Sequence, residues 1–320
     1  MSDPKSGPKS GPMSDSMSDF TFASDGIDLP KGAWARTHRQ RLRHGGRTVM
    51  ALTQGLVRNY AYPLCTPAGY CVTSEAPADH PHHQSLWIGA DHVHVQTPAV
   101  AGTIEEYTYN FYVNETFQGR AAGRIVERAC SAAMLPDGRF EIVQELEWRG
   151  PPEWAADEGR LVALERRAYR IETGERRNRI EVSSRLSADE RAVRLGPTRH
   201  AYFNARVADT MIVANGGSIR DDLGREGGAA VSGEGARWVD FSGPVGGGAR
   251  AGVTVIPHAL PRRRPFWFVA DWGVVTVGPF RGEALALEPG RPFQSSYTVL
   301  VHDGDADIAE AEAIAGRQED

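Results

Sequence analysis

Half of the ten histidines in this 320-residue chain fall between residues 80 and 94. The segment reads Asp79-His80-Pro81-His82-His83-Gln84-Ser85-Leu86-Trp87, followed by Asp91-His92-Val93-His94. Imidazole changes charge near neutral pH and also ligates metals, so such a cluster points to acid–base work or to a metal site. Pro81 lacks an amide donor and biases His80 toward extended backbone. In an extended segment His80 and His82 share one face and His83 takes the other. His92 and His94 repeat the two-residue spacing. One metal set drawn from this pattern is His80, His82 and His94, with either no cofactor or one divalent transition metal; local sequence does not fix the third ligand. The alternative is that the histidines knit a loop together through hydrogen bonds.

Later segments offer partners. Arg199-His200-Ala201-Tyr202-Phe203-Asn204, if extended, puts His200, Tyr202 and Asn204 on one face. His258 follows the β-rich run Val253–Ile256. Arg262-Arg263-Arg264-Pro265-Phe266-Trp267 reads either as a solvated loop or as an anion clamp with an aromatic platform. Trp87, Trp267 and Trp272 are either core residues or surfaces for the C–H face of a sugar ring. Asp79, Asp91 and Asp271 are the best-placed acids, with Glu288 behind them. The expected catalytic set is therefore His80, His82, His83, His200 and His258. The expected substrate-binding set is Trp87, Asp91, Arg199, Tyr202, Asn204 and Trp267. Neither a G-x-S-x-G elbow nor an H-E-x-x-H motif is present.

The elements that must hold these groups are strands. Phe140, Ile142, Gln144, Leu146 and Trp148 alternate with Glu141, Val143, Glu145 and Glu147, the period of a half-buried strand. Ile180 to Leu186 repeats it, and Thr173-Gly174-Glu175 predicts a hairpin back to Ala168–Ile171. Tyr107, Tyr109 and Phe111, Val274–Val277 and Tyr297–Val301 add further strands. The 35 glycines and 20 prolines punctuate short pieces, as in a sandwich or barrel. The helical pattern is confined to Ala306–Ala315. Residues 1–19 are a low-complexity Ser/Pro/Gly/Lys tail, and residues 20–320 read as a single domain. No apolar run approaches the roughly 18 residues of a membrane helix. A net charge of −5 argues against general nucleic-acid binding. Three cysteines, Cys65, Cys71 and Cys130, argue against a disulfide framework and suit a reducing, cytoplasmic setting.

With these residues in view, a family resemblance can be stated. The run Asp79–His83 followed by Leu86-Trp87-Ile88-Gly89 resembles the central signature of the bacterial PmoA-like family. Pro63–Gly69, Ala236–Gly243, Gly252–His258 and Tyr297–Gly304 resemble further stretches of it, so the resemblance spans roughly residues 55–305. This chain departs from the pattern at Gln84-Ser85 and at His92 and His94. The methane-oxygenase label attached to that family suits a membrane protein, which this chain does not resemble. The resemblance implies a carbohydrate-catabolism protein. The closing runs Leu287–Gly290 and Tyr297–Val301 are similar to galactose-mutarotase-like sandwiches.

Three functions follow as expectations. The first is an acid–base enzyme on a sugar or sugar-like polyol, as an epimerase, lyase or hydrolase, built on a large antiparallel β-sandwich (a galactose-mutarotase-like supersandwich) with a short C-terminal helix. The second is a histidine-ligated metal-dependent oxygenase or hydrolase using iron, zinc or copper. The third is a non-catalytic carbohydrate-binding protein. The expected partner is a small sugar-like molecule, with no nucleic acid and no membrane, and a homo-oligomer left open.

Overall fold

The computed structural model describes residues 19–25, 38–98, 102–153, 156–258, 260 and 265–316. Residues 1–18 of the expected tail and the arginines 262–264 lie outside these residues. Among the described residues the strands form three sheets of nine, eight and five, and their pairings are antiparallel save one short parallel pair at Tyr109 and Ala121. The antiparallel sandwich and the short C-terminal helix read from the sequence are both present.

The eight-stranded sheet shows how the sequence period builds the core. Phe140–Arg149 alternates buried and half-exposed positions almost without a break. It pairs with Leu161–Thr173, which turns back into Arg177–Ala188 with Thr173 opposite Asn178. This is the predicted hairpin. Phe293–Asp303 follows in the same sheet and is buried along nearly its whole length. The inward residues of this sheet meet those of the nine-stranded sheet. Phe203 stacks on Tyr297 at 3.9 Å, and Tyr202 packs edge-on against Phe293 at 5.4 Å. Aromatic pairs of this kind add about 0.5–1.5 kcal/mol each beyond their area burial. On the outer face of the eight-stranded sheet, helix Ile308–Gly316 lays Ala311 and Ile314 against Trp238, Ile256 and Leu300.

The nine-stranded sheet holds the strands that flank His80, His82, His83 and His200. Its centre is Leu86–Ala90, between Asn59–Leu64 and Ala201–Arg206, with Val274–Gly278 and Phe266–Ala270 beyond. Leu86, Ile88 and Ala90 face the main core, while Trp87 faces the other way. Gly89 is required by close approach, since a Cβ there would lie 2.5 Å from the Phe111 carbonyl oxygen. On this outer face Tyr60, Trp87, Tyr112, Val113 and Val274 form an aromatic cluster of their own, with Tyr62, Phe268 and Trp272 packed at its margin. Among the described residues no helix is long and apolar enough to cross a membrane.

Candidate active site

The segment carrying the histidine cluster is a pinned loop, not the extended run that Pro81 suggested. Its neck is closed by the Glu75–Gln84 bridge and by the Ala76 amide donating to the His83 carbonyl at 3.0 Å. Within it, His80 donates back to Pro77 and His83 back to His80, making consecutive turns. Ala76 (φ 55°) and Ser85 (φ 61°) stand at its two ends, and they are two of the three non-glycine residues with positive φ among those described. Such strained positions persist where surrounding structure holds them, commonly at functional sites. The turns gather all three rings. His80 stacks on His83 at 4.8 Å and meets His82 at 5.7 Å, and His82 meets His83 at 4.6 Å. Trp272, from the turn between Phe266–Ala270 and Val274–Gly278, stacks on His80 at 4.2 Å.

Each ring has its own electrostatic surroundings. His80 donates Nδ1–H to Asp79 at 2.9 Å, and Arg206 grips the same carboxylate at 2.8 and 2.9 Å. Burial alone would raise the Asp79 carboxyl, but hydrogen bonds from Arg206 and His80 outweigh it and hold it at about 2. His83 is buried and accepts the Tyr112 hydroxyl at 3.3 Å, and its desolvation drives the imidazole down to about 2. His82, half-buried, is lowered to about 4, first by burial and then by the charge of Arg58. Arg58 is wholly buried and has no carboxylate partner among the described residues. Its guanidinium donates to the His82 carbonyl at 3.2 Å, to Asn114 Oδ1 at 2.8 Å and to the Tyr112 carbonyl. Burial lowers even this guanidinium to about 10.

Tyr112 joins this loop to a second group. Asn110 places it by accepting the Tyr112 and Val113 amides at 2.8 and 2.9 Å, a local turn in which the side chain mimics backbone. The Tyr112 ring lies 5.8 Å from His82 on one side and 5.3 Å from His200 on the other. His200 donates Nδ1–H to buried Asp91 at 3.0 Å, and its Nε2 accepts Arg199 Nε–H at 3.2 Å. Asp91 also accepts Thr198 at 2.6 Å and His92 at 2.8 Å. Burial would raise this carboxyl, but hydrogen bonds from His200, His92 and Thr198 hold it at about 2. Arg199 is exposed, lies over the Phe268 ring at 5.3 Å, and has no carboxylate partner among the described residues.

With the fold and this geometry established, comparison with known proteins places the chain. Residues 39–316 match DUF6807, a family of unknown function. The chain belongs to that family. This corrects the PmoA-like assignment, since the match is to DUF6807 and nothing found supports a PmoA-like relative. No curated protein matches the chain. Among solved structures, a galactose mutarotase-like protein from Lactobacillus casei ATCC 334 is 8% identical, with a TM-score of 0.39 over 88% of this chain and 100% of the other. A putative aldose 1-epimerase from Escherichia coli K12 is 11% identical, with a TM-score of 0.32 over 89% and 100%. A beta-arabinopyranosidase is 11% identical, with a TM-score of 0.33, and here the chain spans 88% of itself but 38% of the other.

Of the residues singled out in this DUF6807 member, the structure brings together His80, His82, His83, His200, Asp91 and Arg199, with Trp87 as a wholly buried floor beneath His83 at 5.1 Å. Asn204 lies deeper, accepting Thr276 at 2.8 Å, and supports the floor rather than opening onto it. Tyr202 does not share its face. It packs in the main core, its hydroxyl 3.1 Å from Ser184 of the other sheet. Trp267 is likewise a core residue, fully buried and donating to the Ala236 carbonyl at 2.9 Å, because it alternates with the outward Phe268. His258 belongs to the eight-stranded sheet, 2.7 Å from Thr298 Oγ1, in a separate cavity of about 260 Å³ lined also by Arg170, Arg179 and Glu181. His94 pairs with Thr108 at 2.9 Å in the five-stranded sheet. The set His80, His82 and His94 is therefore not assembled, and no group of three His, Cys, Asp or Glu side chains among the described residues is placed to hold a metal ion. Asp271 accepts the Gly228 amide at 2.7 Å, and Glu288 closes a bridge with Arg291. Sequence reading missed Arg58, Tyr112, Thr198 and Arg206. Each acts through partners remote in the chain, such as Arg206 on Asp79, and nothing in the local sequence signals it.

Proposed function

We propose that this chain is an enzyme that moves a proton on a sugar or sugar derivative, with His200 carrying the proton and His82 as its neutral counterpart. The observation that carries this reading is the contrast between two imidazoles on either side of Tyr112. His200 is backed at Nδ1 by the ionised Asp91 carboxylate, which fixes its tautomer and stabilises the imidazolium formed when Nε2 takes a proton. Among the described residues no carboxylate hydrogen-bonds the His82 ring, which is kept neutral by burial and by Arg58, so its N–H is available to hydrogen-bond an oxygen that gains negative charge. Paired titratable groups set apart by their environments are the usual signature of acid–base roles.

The margins suit a ring rich in hydroxyls. Trp272 and Phe268 are half-buried aromatic faces, and Arg199 is a fork-shaped donor beside them. Substrate oxygen would replace Arg199 at His200 Nε2. The chemistry is a proton taken at one atom and returned at another, the common step of ring opening, epimerisation and β-elimination.

The test is a panel of aldoses, uronic acids and simple glycosides followed by proton NMR in heavy water. Conversion or solvent-deuterium incorporation that falls about 10²–10⁴-fold in His200→Ala, with the fold intact, is the expected result. Binding seen as heat protection, with no conversion of any sugar, would replace the enzyme by a binding protein. Turnover retained in both His200→Ala and His82→Ala would overturn the assignment.

A further inference from the structure

The cysteines hold a feature that the acid–base reading does not use. Cys65 and Cys71 are directly opposed across an isolated antiparallel bridge. The bracketing bonds are Val72 N–H to the Leu64 carbonyl at 3.0 Å and Thr66 N–H to the Tyr70 carbonyl at 2.9 Å. That pattern makes Cys65 and Cys71 a non-hydrogen-bonded pair, the closer of the two antiparallel geometries, with Cα atoms about 4.5 Å apart. A disulfide spans Cα separations of about 4.4–6.8 Å, so the backbone is already within range at its short end. The turn between them is tight, with Gly69 N–H donating to the Thr66 carbonyl at 2.9 Å. Both thiols are free.

We propose that Cys65 and Cys71 are a site of reversible disulfide formation, closed by a small-molecule disulfide such as oxidised glutathione. The two sulfurs have unequal roles. Cys65 is buried, whereas Cys71 is half-buried and accessible to a small reagent. The hydrogen bond from the Cys65 thiol outweighs burial and holds Cys71 below the ordinary thiol range, while Cys65 is pushed up. Cys71 thiolate therefore attacks one glutathione sulfur and expels the other as glutathione thiolate. Cys65 then loses its proton to solvent and attacks Cys71 Sγ, breaking the mixed disulfide and releasing the second glutathione thiolate. Two protein thiols are oxidised by two electrons, and one glutathione disulfide is reduced to two thiols.

Cys130 cannot compete, because it lies on the edge strand Arg124–Met134 opposite Gln144. The closed bond would fix the hairpin whose residues Thr66, Pro67 and Ala68 wall a cavity of about 480 Å³ with His44, Arg47 and Asp303.

The full chain is equilibrated in glutathione buffers from reducing to oxidising, denatured in the presence of an alkylating reagent and weighed by mass spectrometry. Free thiols are expected to fall from three to one, with loss of the mass of two hydrogens and reversal by dithiothreitol. Cys65→Ser should stop at one glutathionyl adduct on Cys71, and Cys130→Ser should still close. Three titratable thiols throughout, a stable glutathionyl adduct on the natural chain, or oxidation through Cys130 would each overturn the proposal.

Discussion

Two aspartate–histidine pairs lie on different sheets of this molecule and differ in one respect. In Asp91–His200, the carboxylate is buried but the ring is part-exposed, and its Nε2 is held by an exposed arginine, Arg199. In Asp240–His302, both residues are buried and both ring nitrogens are committed, Nε2 to Asp240 at 2.9 Å and Nδ1 to the Gly304 carbonyl at 3.1 Å. Both ring nitrogens face oxygen acceptors, an arrangement that favours the doubly protonated imidazolium. Asp240 is saturated by Ser242 at 2.5 Å and Thr254 at 2.8 Å. The same two side chains thus make a closed ion pair in one place and an openable proton carrier in the other. What separates them is whether one nitrogen can be given up to a ligand.

The sharpest way to break this comparison is to remove each histidine and measure both activity and stability. His200→Ala should lose about 10²–10⁴-fold in turnover, and its loss of urea stability should stay below about 2 kcal/mol, because Asp91 keeps its hydrogen bonds from Thr198 and His92. His302→Ala should do the reverse. It strands the Asp240 charge in the interior, which costs about 3–5 kcal/mol in urea unfolding, while turnover per folded molecule is kept. If the two variants shift stability equally, the distinction between open and closed pairs is wrong.

The difference in what could be read beforehand follows the same line. Phe140–Arg149 and the Thr173 hairpin were legible because alternation and turn chemistry are local, and a strand with one face in the core repeats that fact every second residue. The concentration of histidines was legible as composition. Their arrangement was not, because the loop is folded by Ala76 and Ser85 at positive φ and not by Pro81. Periodicity also failed at Ala201–Arg206. Tyr202 reaches Ser184 in the core while Asn204 supports the outer face, so the two residues expected together are divided. Arg58 was invisible, since its lack of a counter-ion is a property of three separate segments meeting around it. His258 and His94 were misplaced because sequence spacing says nothing about which sheet a strand joins.

Acidity and alkalinity should stress the two pairs in opposite directions. Asp91 is held at about 2 against an ordinary 3.8. Its contribution is present above the unfolded value and is lost as pH falls through the folded one, a loss of about 2 kcal/mol. For His302, burial works against the charge, but the Asp240 hydrogen bond and charge outweigh it and raise the imidazole above its ordinary 6.5. That contribution is complete below 6.5 and fades as pH rises through the folded value. Urea unfolding from acid to mildly alkaline pH should therefore show a decline at each end. Asp91→Asn should lessen the acid decline and leave the alkaline one, with Asp79, also held at about 2, supplying part of what remains, and His302→Gln should lessen the alkaline decline and leave the acid one. A single variant that removes both would mean that the two pairs are coupled.

The smallest effect concerns His82, whose ring has no hydrogen bond to an aspartate among the described residues. Burial lowers it most, the charge of Arg58 next, and His80 and His200 after that, and the first two can be separated. Arg58→Met keeps a side chain of similar length in the buried slot and removes the charge, so the first cause remains and the second goes. Histidine titration followed by NMR should then move His82 upward from about 4, yet leave it below 6.5 because desolvation is the larger cause. His302, on the other sheet, should not move and serves as the internal control. A His82 midpoint unchanged by Arg58→Met would mean that burial and the neighbouring histidines, not Arg58, keep this ring neutral. Arg58 would then be a structural donor to the carbonyls of His82 and Tyr112 rather than the charge that sets His82 apart from His200.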